Sequence, residues 1–516
     1  MGAAVSVAEP ITKDMARNLV GDKFDEARFD AAANQEGMIS VEHWAEIIKE
    51  GSPPCPESYL ALCDLEDDQA KRVEELSFSS VRKRLKFGGE TNIKDIPRIA
   101  ICVELRKLSL EYVDTLEDIG ALAKCVKLQE LEFAQCENLS DISPLAACTD
   151  LREFAISRTA ISDISALANS TGLRKITLGG AAGLNEGVND IAPLAGLCKL
   201  QELHHYTRHG ADGLLSLSAL ATCVALTSLR AELSSAASVD LDPLGNLVNI
   251  QKLFLVFGKA AAVDLAPLGN LVNMREICFI PDKVTSNISL LPLATLVNLE
   301  SFMGGCGDHG PKLQHLHALA ACPLLKSVRG PIDFTACDAA QLAGLTTLEH
   351  LIISGCTDIS SLASLTSLRR LEMTGTGLTD LSVLASLTNL TTLNLSSHNN
   401  NNVSCRDLSP LGSLIHLKSL DLCNCDDVVD LSPLRTCSQL DHLDLNNTNV
   451  DDDMVKVLAE CSSLKADGAS ILLDGTCVCR AAITSLENAG IDGITKWFDA
   501  GEDDDDEEDE EDEGDY

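Results

Sequence analysis

Leu378-Thr379-Asp380-Leu381-Ser382-Val383-Leu384-Ala385-Ser386-Leu387-Thr388-Asn389-Leu390-Thr391-Thr392-Leu393-Asn394-Leu395 holds one period of the pattern that fills most of this chain. Its last six residues read Leu-x-x-Leu-x-Leu. Alternation along an extended strand turns Leu393 and Leu395 to one side and Thr392 and Asn394 to the other. The same phrase recurs with its leading position at Leu105, Leu128, Leu151, Leu173, Leu200, Leu226, Ile250, Met274, Leu299, Leu325, Leu348, Leu368, Leu390, Leu417, Leu440 and Leu464. The intervals are about 20 to 27 residues, the length of one strand-and-return coil. A degenerate earlier coil is expected around Leu85 and Phe87.

The return path is as regular as the strand. Asp141-Ile142-Ser143-Pro144-Leu145, Asp407-Leu408-Ser409-Pro410-Leu411 and Asp430-Leu431-Ser432-Pro433-Leu434 repeat one phrase. Asp or Ser can cap a short helical turn, and Pro at its first position loses no hydrogen bond. Six units place Cys136, Thr159, Cys356, Thr376, Cys425 or Thr448 three residues after the last leucine, where a small polar side chain can bond the backbone at the corner. The phrase resembles the internalin-like class of leucine-rich repeats, whose units are roughly 22 residues long. The resemblance implies an α/β solenoid: a curved array with a parallel sheet on its concave face and short helical turns on its convex face. It names no partner, because function lives in sites grafted onto a fold.

A chain of 516 residues exceeds one ordinary core, so either several domains or a solenoid is expected from length alone. Only 3% of residues are aromatic, so regularly spaced Leu and Ala do the packing. The net charge of −38 predicts repulsion from nucleic acid and anionic lipid. The N-terminus lacks an export signal, and no apolar run is long enough to span a membrane. The 20 cysteines are therefore expected as free thiols in the cytoplasm. Cys125, Cys148, Cys223, Cys322, Cys437 and Cys461 stand three residues before a leading leucine, a slot that Leu247, Leu271, Leu296, Leu345, Leu387 and Leu414 fill elsewhere. A residue that alternates with Leu is buried, and a buried thiol behaves as a small hydrophobe. The close pairs Cys423/Cys425 and Cys477/Cys479 lack a matching second pair, so no metal site is expected.

The organisation read from the sequence is a helical segment over 1–70, the repeats over 71–475, a C-terminal cap over 476–498 and a disordered acidic tail over 499–516. Asn34 to Ile39 resembles the centre of an EF-hand, but loop positions one and twelve fall on Ala32 and His43, which cannot hold calcium as Asp and Glu do. Met1 to Ser6 matches the acceptor pattern for N-myristoylation at Gly2, which one chain would turn into weak, reversible membrane contact. The cap is expected as helix over Ala481–Leu486 and Gly493–Phe498.

No catalytic constellation is present. Gly305-Cys306-Gly307-Asp308-His309-Gly310 spells a dinucleotide fingerprint but falls in a corner between coils. His204, His205 and His209 with Tyr206 read as a solvent-facing cluster rather than a metal site. The chain thus reads as no enzyme and needs no cofactor. It is expected to be a monomeric scaffold or adaptor for a protein partner. The alternative is the regulatory subunit of an enzyme such as a protein phosphatase, which co-purification of a catalytic subunit would reveal. Strand alternation puts Phe254, Val256, Ile280 and Met303 outward, an apolar stripe where polar residues are expected. Tyr206 and Arg230 flank it on one side, with Arg329, His350 and Arg370 on the other. An apolar centre with a polar rim, aromatic and Arg-rich, is how protein-binding patches are built.

Overall fold

A computed structural model describes residues 67–79 and 96–496, together with the two-residue strands Ile11–Thr12 and Met38–Ile39. Within this span 180–186, 207–212, 215, 234–237, 258–261, 282–286, 305–312, 331–341, 355–357, 375–377, 379 and 397–405 are not described. Gly2, Ala32, His43, Leu85, Phe87, His209, the Gly305–Gly310 motif, Cys356, Thr376 and the acidic tail lie outside the described residues. Of the EF-hand-like segment, Met38–Ile39 is a strand that pairs antiparallel with Ile11–Thr12.

The chain divides into two compact units, Met1–Ala211 and Asp212–Tyr516. In the first, β1 (Glu75–Ser79), β2 (Lys107–Glu111), β3 (Glu130–Cys136), β4 (Glu153–Thr159), β5 (Lys175–Leu178) and β6 (Glu202–His205) pair in parallel, each with the next. In the second, the parallel order starts with β7 (Ser228–Leu233), β8 (Lys252–Phe257), β9 (Glu276–Pro281), β10 (Ser301–Gly304), β11 (Ser327–Arg329) and β12 (His350–Ser354). It continues through β13 (Arg370–Thr374), β14 (Thr392–Asn394), β15 (Ser419–Asp421), β16 (His442–Asp444), β17 (Ser470–Leu472) and β18 (Ile494–Thr495).

The register keeps equivalent leucine positions level. Leu76, Leu108, Leu131, Phe154, Ile176 and Leu203 form one buried row in the first unit, and Leu229, Leu253, Ile277, Phe302, Val328 and Leu351 open the row in the second. A slip of one residue would send every such row to solvent, so burial sets the pairing. Each unit is an α/β solenoid of leucine-rich repeats.

Two end strands escaped the sequence reading. Val73 and Leu76 carry the pattern upstream of Leu105, and Glu75–Ser79 is a strand there that pairs with Lys107–Glu111; Leu85 and Phe87 of the expected earlier coil lie outside the described residues. At the other end the expected helix is Arg480–Asn488, with Ala482, Ile483 and Leu486 buried. Gly493–Phe498 is not helical where described: Ile494–Thr495 is a strand beside Ser470–Leu472. Ile491 and Ile494 reproduce the leucine spacing there, and the sheet gains one more strand.

The return turns are 3₁₀, such as Ser143–Ala147, Ser382–Ser386 and Ser432–Thr436. The aspartate sits one residue before the formal cap, and its Oδ1 accepts the N–H two residues on. Ser143 N donates to Asp141, Ser382 N to Asp380 and Ser432 N to Asp430, each at 2.8 Å. Pro144 and Pro433 therefore occupy the second position of the turn, not the first, which still lies among the donors without an intrahelical acceptor. At the corners, Thr448 Oγ1 donates to Leu445 O at 2.7 Å and the Cys425 thiol donates to Leu395 O at 3.4 Å.

All six leucine-slot cysteines are buried and unbridged. Four of their thiols reach carbonyls of the preceding coil: Cys125 to Ile99 O, Cys148 to Leu122 O, Cys322 to Leu293 O and Cys437 to Leu411 O, at 3.4–3.5 Å. Ser170 fills the same slot and donates to Cys148 O at 3.2 Å. A hydroxyl there finds a partner, and this explains how Ser interchanges with Cys and Leu at one position.

Candidate functional site

Five consecutive strands of the second unit build the most apolar stretch of its exposed sheet face. Inside, Phe279 meets Phe257 in a tilted contact and Phe302 edge-on, with ring centroids 5.9 and 6.2 Å apart. All three are fully buried and back the sheet with rigid bulk. Outside, strand pairing aligns Arg230 with Phe254, Phe254 with Cys278, Cys278 with Met303 and Met303 with Arg329. The next column holds Glu232, Val256 and Ile280. Phe254, Val256 and Ile280 are half-buried, and Met303 is 37% exposed. The four apolar residues predicted from strand alternation therefore meet in one cluster.

The sequence reading missed Cys278 at the centre of that cluster, although the alternation that turned Ile280 outward applies equally to it. Neighbouring side chains cover it, and burial pushes its thiol up to about 11, opposed by the Arg230 charge. It acts as apolar filler between Phe254 and Met303. Ile352 was missed too; one step beyond the Val328–Leu351 pair, it continues the column past Arg329.

Arginine brackets the cluster at both ends. The Arg230 guanidinium lies 3.7 Å from the Phe254 ring centroid and pairs with Glu232 at 3.1 Å. Arg329 Nε donates to Ser327 Oγ at 2.8 Å, and its Nη2 is 3.4 Å from His350 Nδ1. Among the described residues no carboxylate pairs with Arg329. Arg370 pairs with Glu372, and Lys252 with Glu276 at 2.8 Å. Arg230 and Arg329 share the central column, while His350 and Arg370 belong to the column beside it with Ser327.

The remaining predicted residues divide by role. Tyr206 belongs to the first unit, edge-on to His204 at 6.4 Å. His205 is not solvent-facing as expected: it is buried, with Nε2 2.8 Å from Val188 O. Strand alternation explains this, since His205 occupies an inward position. The first unit's face carries a groove of about 330 Å³ lined by Lys107, Ser109, Glu130, Glu132, Glu153 and Lys175. Both lysines are paired, Lys107 with Glu130 and Lys175 with Glu202, and Glu132 accepts from Ser109 Oγ at 3.1 Å. Asp421 and Asp444 are spent on corners, accepting the N–H of Cys423 and Asn446 at 2.9 Å. Among the described residues no group of three or more His, Cys, Asp or Glu could hold a metal ion, and no helix is long and apolar enough to cross a membrane.

Level parallel strands, inward leucines and 3₁₀ returns define a leucine-rich repeat protein. The chain is similar to an internalin (inlF) from Listeria monocytogenes, with 23% identity, covering 76% of this chain and 96% of that one, at a TM-score of 0.48. It is also similar to an LRR protein of Leptospira interrogans, with 14% identity, 86% and 100% coverage and a TM-score of 0.47. A third similar structure is the plant peptide hormone receptor RGFR1 in complex with RGF2, with 16% identity, 84% and 81% coverage and a TM-score of 0.44. No protein-family model matches the sequence, and no curated protein matches it.

Proposed function

We propose that the second unit is a protein-binding module, and that its partner docks on the sheet face centred on Phe254, Cys278 and Met303. One observation carries this reading: an apolar cluster stands on the outward face of a parallel sheet, bracketed along its column by Arg230 and Arg329. Apolar side chains leave water when a partner covers them, and the Arg–Phe stack and fork-shaped guanidinium of Arg329 supply the aromatic and Arg anchors typical of interface centres. The protein acts by binding, as an adaptor or scaffold, not by catalysis.

Quantitative co-precipitation from the native source tests it. The Phe254→Ala/Met303→Ala variant should retain at least tenfold less of the proteins that the wild type retains reproducibly, about 1.4 kcal/mol of binding energy. An unchanged set at unchanged amounts would refute the assignment of this face.

A further inference from the structure

Resting on that reading, we infer that the partner presents an extended segment in which an apolar side chain is followed, about four residues later, by a single acidic side chain. Phe254 and Arg329 are three strand spacings apart in one column, about 14 Å at ~4.8 Å per strand. An extended peptide crossing the strands covers that distance in about four residues at ~3.3 Å each. The two anchors therefore set a spacing as well as a chemistry.

The two arginines differ in what they offer. Arg230 is committed to Glu232 and to the Phe254 ring, where it shapes the apolar floor. Arg329 is held by Ser327 and His350, neither of which is a carboxylate. Two of its nitrogens are engaged and the fork is held in place, so a carboxylate can bond it without first ordering the side chain. Lys252 and Arg370, the other cations nearby, are already paired with Glu276 and Glu372. Among the described residues of this face, Arg329 has no carboxylate partner.

The charge of the whole chain narrows the partner further. At −38, this protein repels a segment carrying many carboxylates. That disfavours an acidic run and favours one carboxylate within an apolar stretch. It also argues against the chain's own Glu502–Glu513 run as occupant, although Trp497-Phe498-Asp499 precedes it and makes that tail a necessary control.

A random dodecamer peptide library displayed on phage, selected on the full-length protein, is the test. Enriched peptides should pair an aromatic or aliphatic residue with Asp or Glu three to five positions later. A synthetic copy should lose at least tenfold in affinity by fluorescence anisotropy for Phe254→Ala and for Arg329→Glu. Changing the peptide's acid to Lys should abolish binding to the wild type and restore it to Arg329→Glu, and that rescue also shows the variant is folded. Peptides that need Phe254 but lack an acidic residue and ignore Arg329→Glu would overturn the inference while leaving the sheet-face reading intact. Peptides indifferent to Phe254→Ala/Met303→Ala, or no enrichment at all, would overturn both. Binding that emerges only after deletion of residues 497–516 would assign the cluster to the chain's own tail, and so overturn an external acidic segment.

Discussion

Phe254 and Phe279 stand on adjacent strands with opposite orientations, so replacing each by Ala separates a surface role from a core role. Phe279 is fully buried between Phe257 and Phe302, with centroids 5.9 and 6.2 Å away. Removing a buried Phe costs about 3–5 kcal/mol in transfer and cavity terms. Loss of two aromatic contacts at about 0.5–1.5 kcal/mol each places Phe279→Ala near the top of that range. Phe254 is half-buried, and its main specific contact is the Arg230 guanidinium at 3.7 Å. A cation–π contact is worth about 0.5–1 kcal/mol, and the partial burial adds about 1 more. In urea melts followed by far-UV circular dichroism, the midpoint shift of Phe279→Ala should be about two to three times that of Phe254→Ala. Because coils of a solenoid contact only their neighbours, Phe279→Ala should also broaden or split the transition. Peptide or partner binding should show the reverse order, with Phe254→Ala the more damaging. Equal midpoint shifts, or a larger one for Phe254→Ala, would mean that the strand is slipped by one residue and that the proposed face is core.

Thiol accessibility gives an independent check of the register. Burial raises Cys125 to about 12 and Cys148 and Cys437 to about 11, so native protein should label quickly at exposed Cys198, Cys477 and Cys479 and slowly at those three, as peptide mass mapping would show. Rapid native labelling of Cys148 would undo the assignment. The corner aspartates predict a pH dependence. Hydrogen bonds from the Ser382 backbone and side chain hold Asp380 below the usual carboxylate range, and those from the side chain and backbone of Ser409 and Ser432 do the same for Asp407 and Asp430. A depressed folded pKa gives stability that is present above the unfolded value of about 3.9 and is lost as pH falls through the lower folded value. At physiological ionic strength the triple Asp→Asn variant should melt below wild type at pH 7, and the gap should close in acid; a gap that persists in acid would show that the carboxylate charge contributes nothing.

The repeat, its strand direction and the inward leucines were legible in the sequence because a two-residue alternation and a fixed coil length leave a periodic mark. The same alternation, with the leucine slot, foretold buried cysteines and an outward Phe254, Val256, Ile280 and Met303. Cys278 and Ile352 obeyed the rule as well, and were lost only because a Cys or Ile among apolar neighbours reads as core. The end coils at Val73–Phe78 and Ile491–Thr495 were hidden by their departure from leucine, and only pairing with a complete neighbour reveals them as strands. The tertiary structure alone decided which outward charges pair, since that depends on side-chain rotamers and distances rather than on register. Counted from the leading positions, Phe254, Met303 and Arg329 stand four residues on and His350 and Arg370 two, so the columns were legible once the coils were aligned. That register does not tell that Glu232, Glu276 and Glu372 pair with Arg230, Lys252 and Arg370, while among the described residues no carboxylate pairs with Arg329.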